Sequence, residues 1–280
     1  MKLTEERKSC QCEEREQVKR EVALRFNLNA IKKKFLVLSG KGGVGKSTVS
    51  TNLAAGLSVK GYKVGLLDID IHGPNIPNMF GLEGHAPIVT DLGIMPLVYS
   101  ETLKLISVGF FLEQRDQAVV WRGPIKHRLI ENFLTDVRWG ELDFLVIDSP
   151  PGTGDEIISI VQILDKVDGA IIVATPQDVA LADVRRTLRF CKDASIPILG
   201  IVENMSGFIC PHCGNNVEIF KTGGAEKLAE QYKVPFLGRI PIDPQIVSNG
   251  DEGKPFMLFY PDSAPAKAFS NIVKKVVEAL

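Results

Sequence analysis

Short apolar runs alternate with amphipathic segments along the chain from Ile31 onward. Seven of these runs are apolar at nearly every position, which is typical of strands buried on both faces of a parallel sheet. A strand with one solvent-exposed face would alternate apolar and polar residues instead. We therefore predict buried strands at residues 35–40, 62–70, 102–110, 144–150, 169–176, 197–205 and 235–241.

Segments with helical periodicity separate many of the predicted strands. They lie at residues 46–60, 124–136, 154–166, 178–192 and 223–233. The C-terminal segment 266–280 also has apolar residues at positions i, i+3, i+4 and i+7. Alternation of strands and helices predicts an α/β protein with a doubly wound, mainly parallel sheet flanked by helices.

The N-terminal region differs from the rest in composition. More than half of the first 25 residues are charged, with both signs mixed, and their apolar stripe is thin. We predict a charged tail or helix at 1–28 and one α/β domain at 29–280.

Charge and hydropathy exclude several classes of partner. The 280 residues carry 33 basic and 34 acidic side chains, so no overall field favours nucleic acid or an anionic membrane. The sequence has neither a run of about twenty apolar residues nor a signal peptide. We expect a cytoplasmic protein without nucleic-acid or membrane partners.

A phosphate-binding motif follows the first predicted strand directly and opens a helix. The residues GKGGVGKS match the pattern G-x-x-x-x-G-K-[ST] in the strand-to-helix context that this motif requires. The glycines allow backbone N–H groups to surround a phosphate chain, the motif lysine reaches the β- and γ-phosphates, and the motif serine ligates Mg²⁺. The predicted nucleotide-binding residues are Gly40, Lys41, Gly42, Gly43, Val44, Gly45, Lys46, Ser47 and Thr48.

Two acidic residues lie where strands of a parallel sheet end, at the edge where ligands bind. Asp70 closes the run LLDID, and we expect it to orient the attacking water or to assist through Mg²⁺. Asp68 shares a strand face with Asp70 and is a secondary candidate. Asp148, in FLVIDSPPG, is expected to hold Mg²⁺ through a water molecule. We predict Lys46 and Asp70 as catalytic residues.

The five cysteines are an odd number in a chain without an export signal, which favours metal or redox chemistry over disulfides. Cys210 and Cys213 form a C-x-x-C pair within segment 207–216, and Cys191 fits a buried helix position. Thiolates bind both zinc and iron–sulfur clusters, and both usually require four protein ligands.

One chain supplies only half of such a site at the C-x-x-C pair. Two copies of the pair across a two-fold axis would supply four thiolates to one bridging metal centre. A four-thiol site within one chain, completed by Cys10 and Cys12, is an alternative. A thioredoxin-like redox pair is disfavoured because a turn rather than a helix follows Cys213. Spacing alone does not distinguish an iron–sulfur cluster from zinc.

Several segments together resemble the Mrp-type iron–sulfur carriers, P-loop ATPases of the MinD/ParA superfamily with a deviant Walker A motif. The resemblance covers about residues 30–262 and lies in GKGGVGKST, LLDIDIHGPNIP, WRGPI, FLVIDSPPGTGDE, VENMSGFICPHCG and GRIPIDP.

The resemblance implies a homodimer with ATP and Mg²⁺ at each phosphate loop. It also implies a [4Fe–4S] cluster that Cys210 and Cys213 of both subunits bridge, for transfer to apo iron–sulfur proteins. Lys41 would reach across the dimer to the partner's nucleotide and act there as a further catalytic residue. Asn204 would contact adenine, and Pro241 and Asp243 would pack over the purine.

We therefore expect a slowly hydrolysing ATPase that carries an iron–sulfur cluster. A MinD/ParA-like positioning ATPase with a structural zinc at the dimer interface is the alternative, and a nitrogenase-like reductase is a third hypothesis.

Overall fold

The computed structural model describes residues 17–91, 93–111, 123–164, 166–210, 212–213 and 215–280. Cys10 and Cys12 lie outside the described residues, as do the first two residues of the WRGPI segment.

Twelve strands lie within the described ranges. In chain order they are β1 (Ile31–Ser39), β2 (Val64–Asp68), β3 (Ile88–Thr90), β4 (Gly93–Met95), β5 (Leu97–Ser100), β6 (Leu103–Ser107), β7 (Leu142–Asp148), β8 (Gly169–Ala174), β9 (Ile198–Glu203), β10 (Phe208–Ile209), β11 (Asn216–Val217) and β12 (Phe236–Arg239).

Ten α-helical segments lie within the same ranges, together with a 3₁₀ turn at Val108–Phe111. The helices are α1 (17–29), α2 (Lys46–Val59), α3 (Ile76–Met79), α4 (Gly123–Thr135), α5 (Asp155–Leu164), α6 (Asp178–Asp193), α7 (Gly224–Tyr232), α8 (Pro244–Asp251), α9 (Phe256–Phe259) and α10 (Ala264–Ala279).

Eight strands form one central sheet in the order β12-β9-β8-β1-β7-β2-β6-β5. All neighbouring pairs are parallel except β5 and β6, which are antiparallel. One core cluster packs α4 to α7 against one face of the sheet, and a second packs α2, α9 and α10 against the other. The predicted doubly wound, mainly parallel architecture is confirmed.

All seven predicted strands are present, and each ends one to three residues earlier than predicted. β2 ends at Asp68 rather than at residue 70, because the Asp68 carboxylate accepts hydrogen bonds from the backbone N–H groups of Asp70 and Ile76 and turns the chain. β6 ends at Ser107 because its hydroxyl accepts from the Gly109 N–H and starts the 3₁₀ turn.

Helix α1 packs its last turn against the domain. The Asn27 amide donates to the backbone carbonyls of Thr135 at 2.5 Å and of Val137 at 3.1 Å, and Leu28 joins the core. These contacts span the predicted boundary at residue 28, and the division itself stays a prediction.

No helix in the described part of the chain combines the length and apolarity needed to cross a bilayer.

Candidate functional site

The phosphate loop leaves the C-terminal end of β1 and enters α2 at Lys46. Gly45, the residue before the helix, has a φ of 81°, a left-handed conformation that glycine adopts without strain. At Gly40, a Cβ atom would lie 2.6 Å from the backbone of Asp183 in α6, so only glycine permits this close approach. The first N–H groups of α2 have no acceptor within the helix, as at any helix N-terminus, and can bind an anion at this loop.

A cavity of about 290 Å³ lies over this loop. Seven of the nine predicted phosphate-loop residues line it, and Asp70 lines it as well. Gly40 and Val44 do not, because Gly40 packs against α6 and Val44 is buried beneath the loop. The other residues lining the cavity are Ser39, Asn75, Met79, Pro151 and Met205.

Asp148, at the end of β7, organises the polar side chains beneath the loop and has no exposed surface. Its carboxylate lies 2.9 Å from the Lys46 Nζ and accepts hydrogen bonds from the Ser47 hydroxyl at 2.7 Å and the Ser50 hydroxyl at 2.6 Å. The Lys46 Nζ also lies 3.4 Å from Asp70. The motif lysine is therefore held by two carboxylates beside the phosphate cavity.

Burial and charge oppose each other at this cluster. Burial lowers the pKa of Lys46, but the carboxylates of Asp148 and Asp70 act more strongly together, so the pKa lies above its usual value. Burial raises the pKa of Asp70, and Lys46 limits that rise. Burial, followed by the negative charge of Asp148, raises the pKa of Asp68 to about 8.

A second and larger cavity, of about 460 Å³, continues from the phosphate cavity. Thr48, Asn75, Met79 and Met205 line both cavities. The predicted adenine-contact residues Asn204, Pro241 and Asp243 all line the larger one. Its size and largely apolar lining fit a purine ring with its ribose.

Asn204 also connects this cavity to the phosphate loop. Its side-chain N–H donates to the Val44 carbonyl at 2.9 Å, and the residue is 6% exposed. Asp243 has a further structural role, since its carboxylate accepts from the Gln245 N–H and caps α8.

Several cavity residues have no motif in the sequence. Thr51 and Asn52 lie one turn beyond the phosphate loop in α2, and the Asn52 side chain accepts from the Met257 N–H at 3.0 Å. The one sequence signal for them is the polar run Ser50-Thr51-Asn52, which is buried like most of the helix. Phe220 and Phe256 reach the cavity from distant parts of the chain and carry no such signal.

The predicted thiol pair lies on a small antiparallel hairpin formed by β10 and β11. Hydrogen bonds from the backbone N–H of Cys213, the backbone N–H of His212 and the thiol of Cys213 lower the pKa of Cys210. Donors that face a sulfur in this way stabilise its thiolate, the form that binds metals. Cys191 is buried, as predicted, and burial raises its pKa to about 12.

The two thiols do not complete a metal site by themselves. Within the described ranges, no group of three or more His, Cys, Asp or Glu side chains is arranged to hold a metal ion.

Comparison with known proteins identifies the family. The family model described as a ParA-group NUBPL iron-transfer P-loop NTPase matches residues 30–277. The chain belongs to this family. The resemblance to iron–sulfur carriers of the MinD/ParA superfamily is thereby confirmed, and membership makes the chain a P-loop NTPase.

Two relatives of this NTPase are half identical to it. An iron–sulfur cluster carrier protein of Methanocaldococcus jannaschii is 50% identical over 255 residues, which cover 91% of this chain and 87% of that protein. The cytosolic Fe-S cluster assembly factor NUBP2 of Gallus gallus is 50% identical over 261 residues, which cover 92% and 96%.

Solved structures confirm the fold of the NTPase. A nucleotide-binding protein of Archaeoglobus fulgidus, solved with ADP, has a TM-score of 0.74 and 37% identity over 88% of this chain and 98% of that one. The cell division ATPase MinD of Pyrococcus furiosus has a TM-score of 0.66 and 25% identity over 89% and 100%.

Proposed function

We propose that this P-loop NTPase is a cytoplasmic ATPase of low turnover that works as an iron–sulfur cluster carrier. It assembles a bridging [4Fe–4S] cluster in a homodimer and transfers the cluster to apo-proteins. One observation carries the proposal: a two-part cavity of nucleotide size belongs to the same chain as a C-x-x-C pair, in which Cys213 is exposed and the half-buried Cys210 has a lowered pKa.

In this proposal, the predicted residues of the nucleotide site have separate roles. The phosphate loop from Gly40 to Thr48 binds the phosphates through backbone N–H groups and Lys46. Ser47 would hold Mg²⁺ directly and Asp148 would hold it through a water molecule, and the ion would neutralise charge on the phosphates. Asp70 orients the attacking water. Asn204 hydrogen-bonds the adenine, and Pro241 and Asp243 pack over it.

Lys41 supplies a positive charge to the nucleotide of the partner subunit. The residue is half-buried and lines the phosphate cavity. No acidic side chain in the described part of the chain forms an ion pair with it, unlike Lys46. A cation without an ion-pair partner among the described residues is suited to act in trans, as an arginine finger does.

The cluster requires the dimer, because each chain brings two thiolates and the cluster takes four. Nucleotide binding then changes the distance between subunits through the loops 70–78 and 149–155. Ser149, in the second loop, has a fully buried hydroxyl without a hydrogen-bond partner among the described groups. Such a group costs free energy until a ligand or a rearrangement satisfies it.

Anaerobic reconstitution with iron and sulfide tests the carrier function. We expect about four irons per dimer, with the broad visible absorption of a thiolate-ligated cluster. Cys210→Ala should lose the cluster but leave the ATP affinity of the metal-free chain nearly unchanged, because its thiol lies outside both cavities. Cys191→Ala is the matched control and should retain the cluster.

Two results would contradict this function. Stoichiometric zinc without cluster absorption after reconstitution would remove the carrier and leave a structural metal. ATP-dependent sedimentation with liposomes or DNA would favour a positioning ATPase.

A further inference from the structure

The thiol hairpin is part of a longer segment that connects β9 to α7. We define this segment as residues 207–222 and call it the thiol excursion. It leaves the sheet after β9 and returns at the start of α7. Its entering side pairs with the chain that follows β12, since the Ile242 N–H donates to the Gly207 carbonyl at 2.8 Å and Phe208 forms a bridge with Ile242. The excursion is thus attached to the domain at its two ends.

A single buried carboxylate holds both ends of the thiol excursion. Glu203, with no exposed surface, accepts from the Ser206 hydroxyl at 2.5 Å on the entering side. On the returning side it accepts from the Gly223 N–H at 2.8 Å and the Ala225 N–H at 2.6 Å. A displacement of one end therefore acts on the other through the same side chain.

The same two ends form part of the wall of the larger cavity, of about 460 Å³, which we call the purine cavity. Asn204 and Met205 line it immediately before the entering end, and Phe220 lines it just before the returning end. Met205 has a φ of 55°, a left-handed conformation that costs a residue with a side chain about 1 kcal/mol or more. Phe220 is 39% exposed, so part of its ring is available to a ligand.

We propose that Phe220 contacts the purine of the bound nucleotide and, together with Glu203, transmits nucleotide occupancy to Cys210 and Cys213 within one chain. This inference rests on the proposed function and names the route by which its two sites communicate. A purine in the cavity packs against the Phe220 ring and fixes the returning end. Glu203 then fixes the entering end, so the position and exposure of the thiols change with the ligand.

Alkylation of the thiols tests this route without any metal. The rate of iodoacetamide modification at Cys210 and Cys213 is measured by peptide mass spectrometry on the full chain. The protein concentration is one at which sedimentation shows a monomer, so that contacts between subunits do not contribute. The ligands are ADP, which fills both cavities, and pyrophosphate, which fills the phosphate cavity alone.

ADP should change the alkylation rate by about fivefold or more, as is typical for coupled sites, whereas pyrophosphate should not change it. Phe220→Ala should abolish the effect of ADP, and Phe220→Leu should keep part of it. Ile219→Ala is the matched control, because this neighbouring residue is 52% exposed and does not line the cavity. That variant should respond like the unmodified chain.

Three outcomes would overturn the inference: equal rates with and without ADP, an equal effect of pyrophosphate, or a full ADP effect in Phe220→Ala. Calorimetric titration with ADP shows whether the nucleotide binds, and the reconstitution experiment shows whether the thiols bind a cluster. If both bind while the rates stay equal, this route is wrong and the carrier function stands.

Discussion

Asp68 and Asp148 end two neighbouring strands, and the pairing of β2 with β7 puts them opposite each other. Both are fully buried, and Lys46 is the cation beside them. With its pKa raised to about 8, the Asp68 carboxyl is mostly protonated at neutral pH. The protonation state of the site therefore differs from what the sequence alone suggests.

Asp68 should make the nucleotide-free protein less stable as the pH rises. Its carboxyl binds a proton more tightly in the folded chain than in the unfolded one, so its contribution is present below about pH 4 and is lost between about pH 4 and 8. Asp68→Asn should remove this dependence. We consider the unfolding free energy of Asp68→Asn minus that of the unmodified chain. As the pH rises through that window, this difference should increase by up to about 1.4 kcal/mol per pH unit.

Urea unfolding at pH 5, 6, 7 and 8 checks this prediction. The surface variant Asp143→Asn is the control and should differ from the unmodified chain by the same amount at all four values, because the Lys32 ammonium holds the pKa of Asp143 below its usual range and this carboxyl is ionised in both the folded and the unfolded chain above about pH 5. A constant difference between Asp68→Asn and the unmodified chain at all four values would contradict the assigned protonation.

Helix α8 links a cap to a cavity wall. Asp243 caps its first turn, while Ile246, Val247, Gly250 and Asp251 from the same helix line the purine cavity. Loss of the cap should therefore affect both stability and nucleotide affinity.

Asp243→Ala should lower the free energy of unfolding by about 1 kcal/mol, the usual value of an N-cap. Affinity for ADP should fall as well, because the fraying helix forms one wall of the cavity. Asp243→Asn keeps an oxygen that accepts from the Gln245 N–H and should restore both quantities. Thermal unfolding and calorimetric titration with ADP measure them, and an Asn variant as weak as the Ala variant would show that the carboxylate charge matters.

The elements differ in how far the sequence could predict them. Apolar runs such as FLVLSG and FLVIDSP identify the buried strands, because burial on both faces leaves no other pattern. The β3–β4 hairpin was not predicted, because each of its strands has only three residues and none of them is buried. The short helices α3, α8 and α9 have too few turns to show a periodicity.

The candidate site shows the same division. The phosphate loop is contiguous, so one motif predicts almost all of it. The purine cavity draws Asn52, Phe220 and Phe256 from parts of the chain that meet only through the fold. The role of Glu203 was also invisible, because its partners at 206, 223 and 225 are defined by backbone geometry rather than by residue type.

At the scale of the whole molecule, the proposed dimer predicts complementation between two inactive variants. Lys46→Gln removes the lysine that acts on the nucleotide of its own chain, and Lys41→Gln removes the lysine that acts on the partner's nucleotide. Each variant alone should lose ATPase activity by roughly 100-fold or more, as expected when a charge that stabilises the transition state is removed. In a mixed dimer, the Lys41→Gln chain keeps Lys46 and receives Lys41 from its partner.

An equimolar mixture should therefore recover part of the activity, from the one complete site in each mixed dimer. ATP hydrolysis is measured for each variant alone and for the mixture. Lys41→Gln should also unfold like the unmodified chain, whereas Lys46→Gln leaves Asp148 and Asp70 without their cation and should be less stable. No recovery in a mixture that is shown to contain mixed dimers would contradict action in trans.

The pairing of Asp68 with Asp148 across β2 and β7 has a consequence for engineering. Two acidic side chains at neighbouring strand ends are a local weakness beside the phosphate loop. A library selected for heat resistance alone should accumulate neutral residues at position 68, whether or not the resulting clones hydrolyse ATP. Selection for heat resistance in the presence of ATP should avoid this outcome, because it favours variants that still bind the nucleotide.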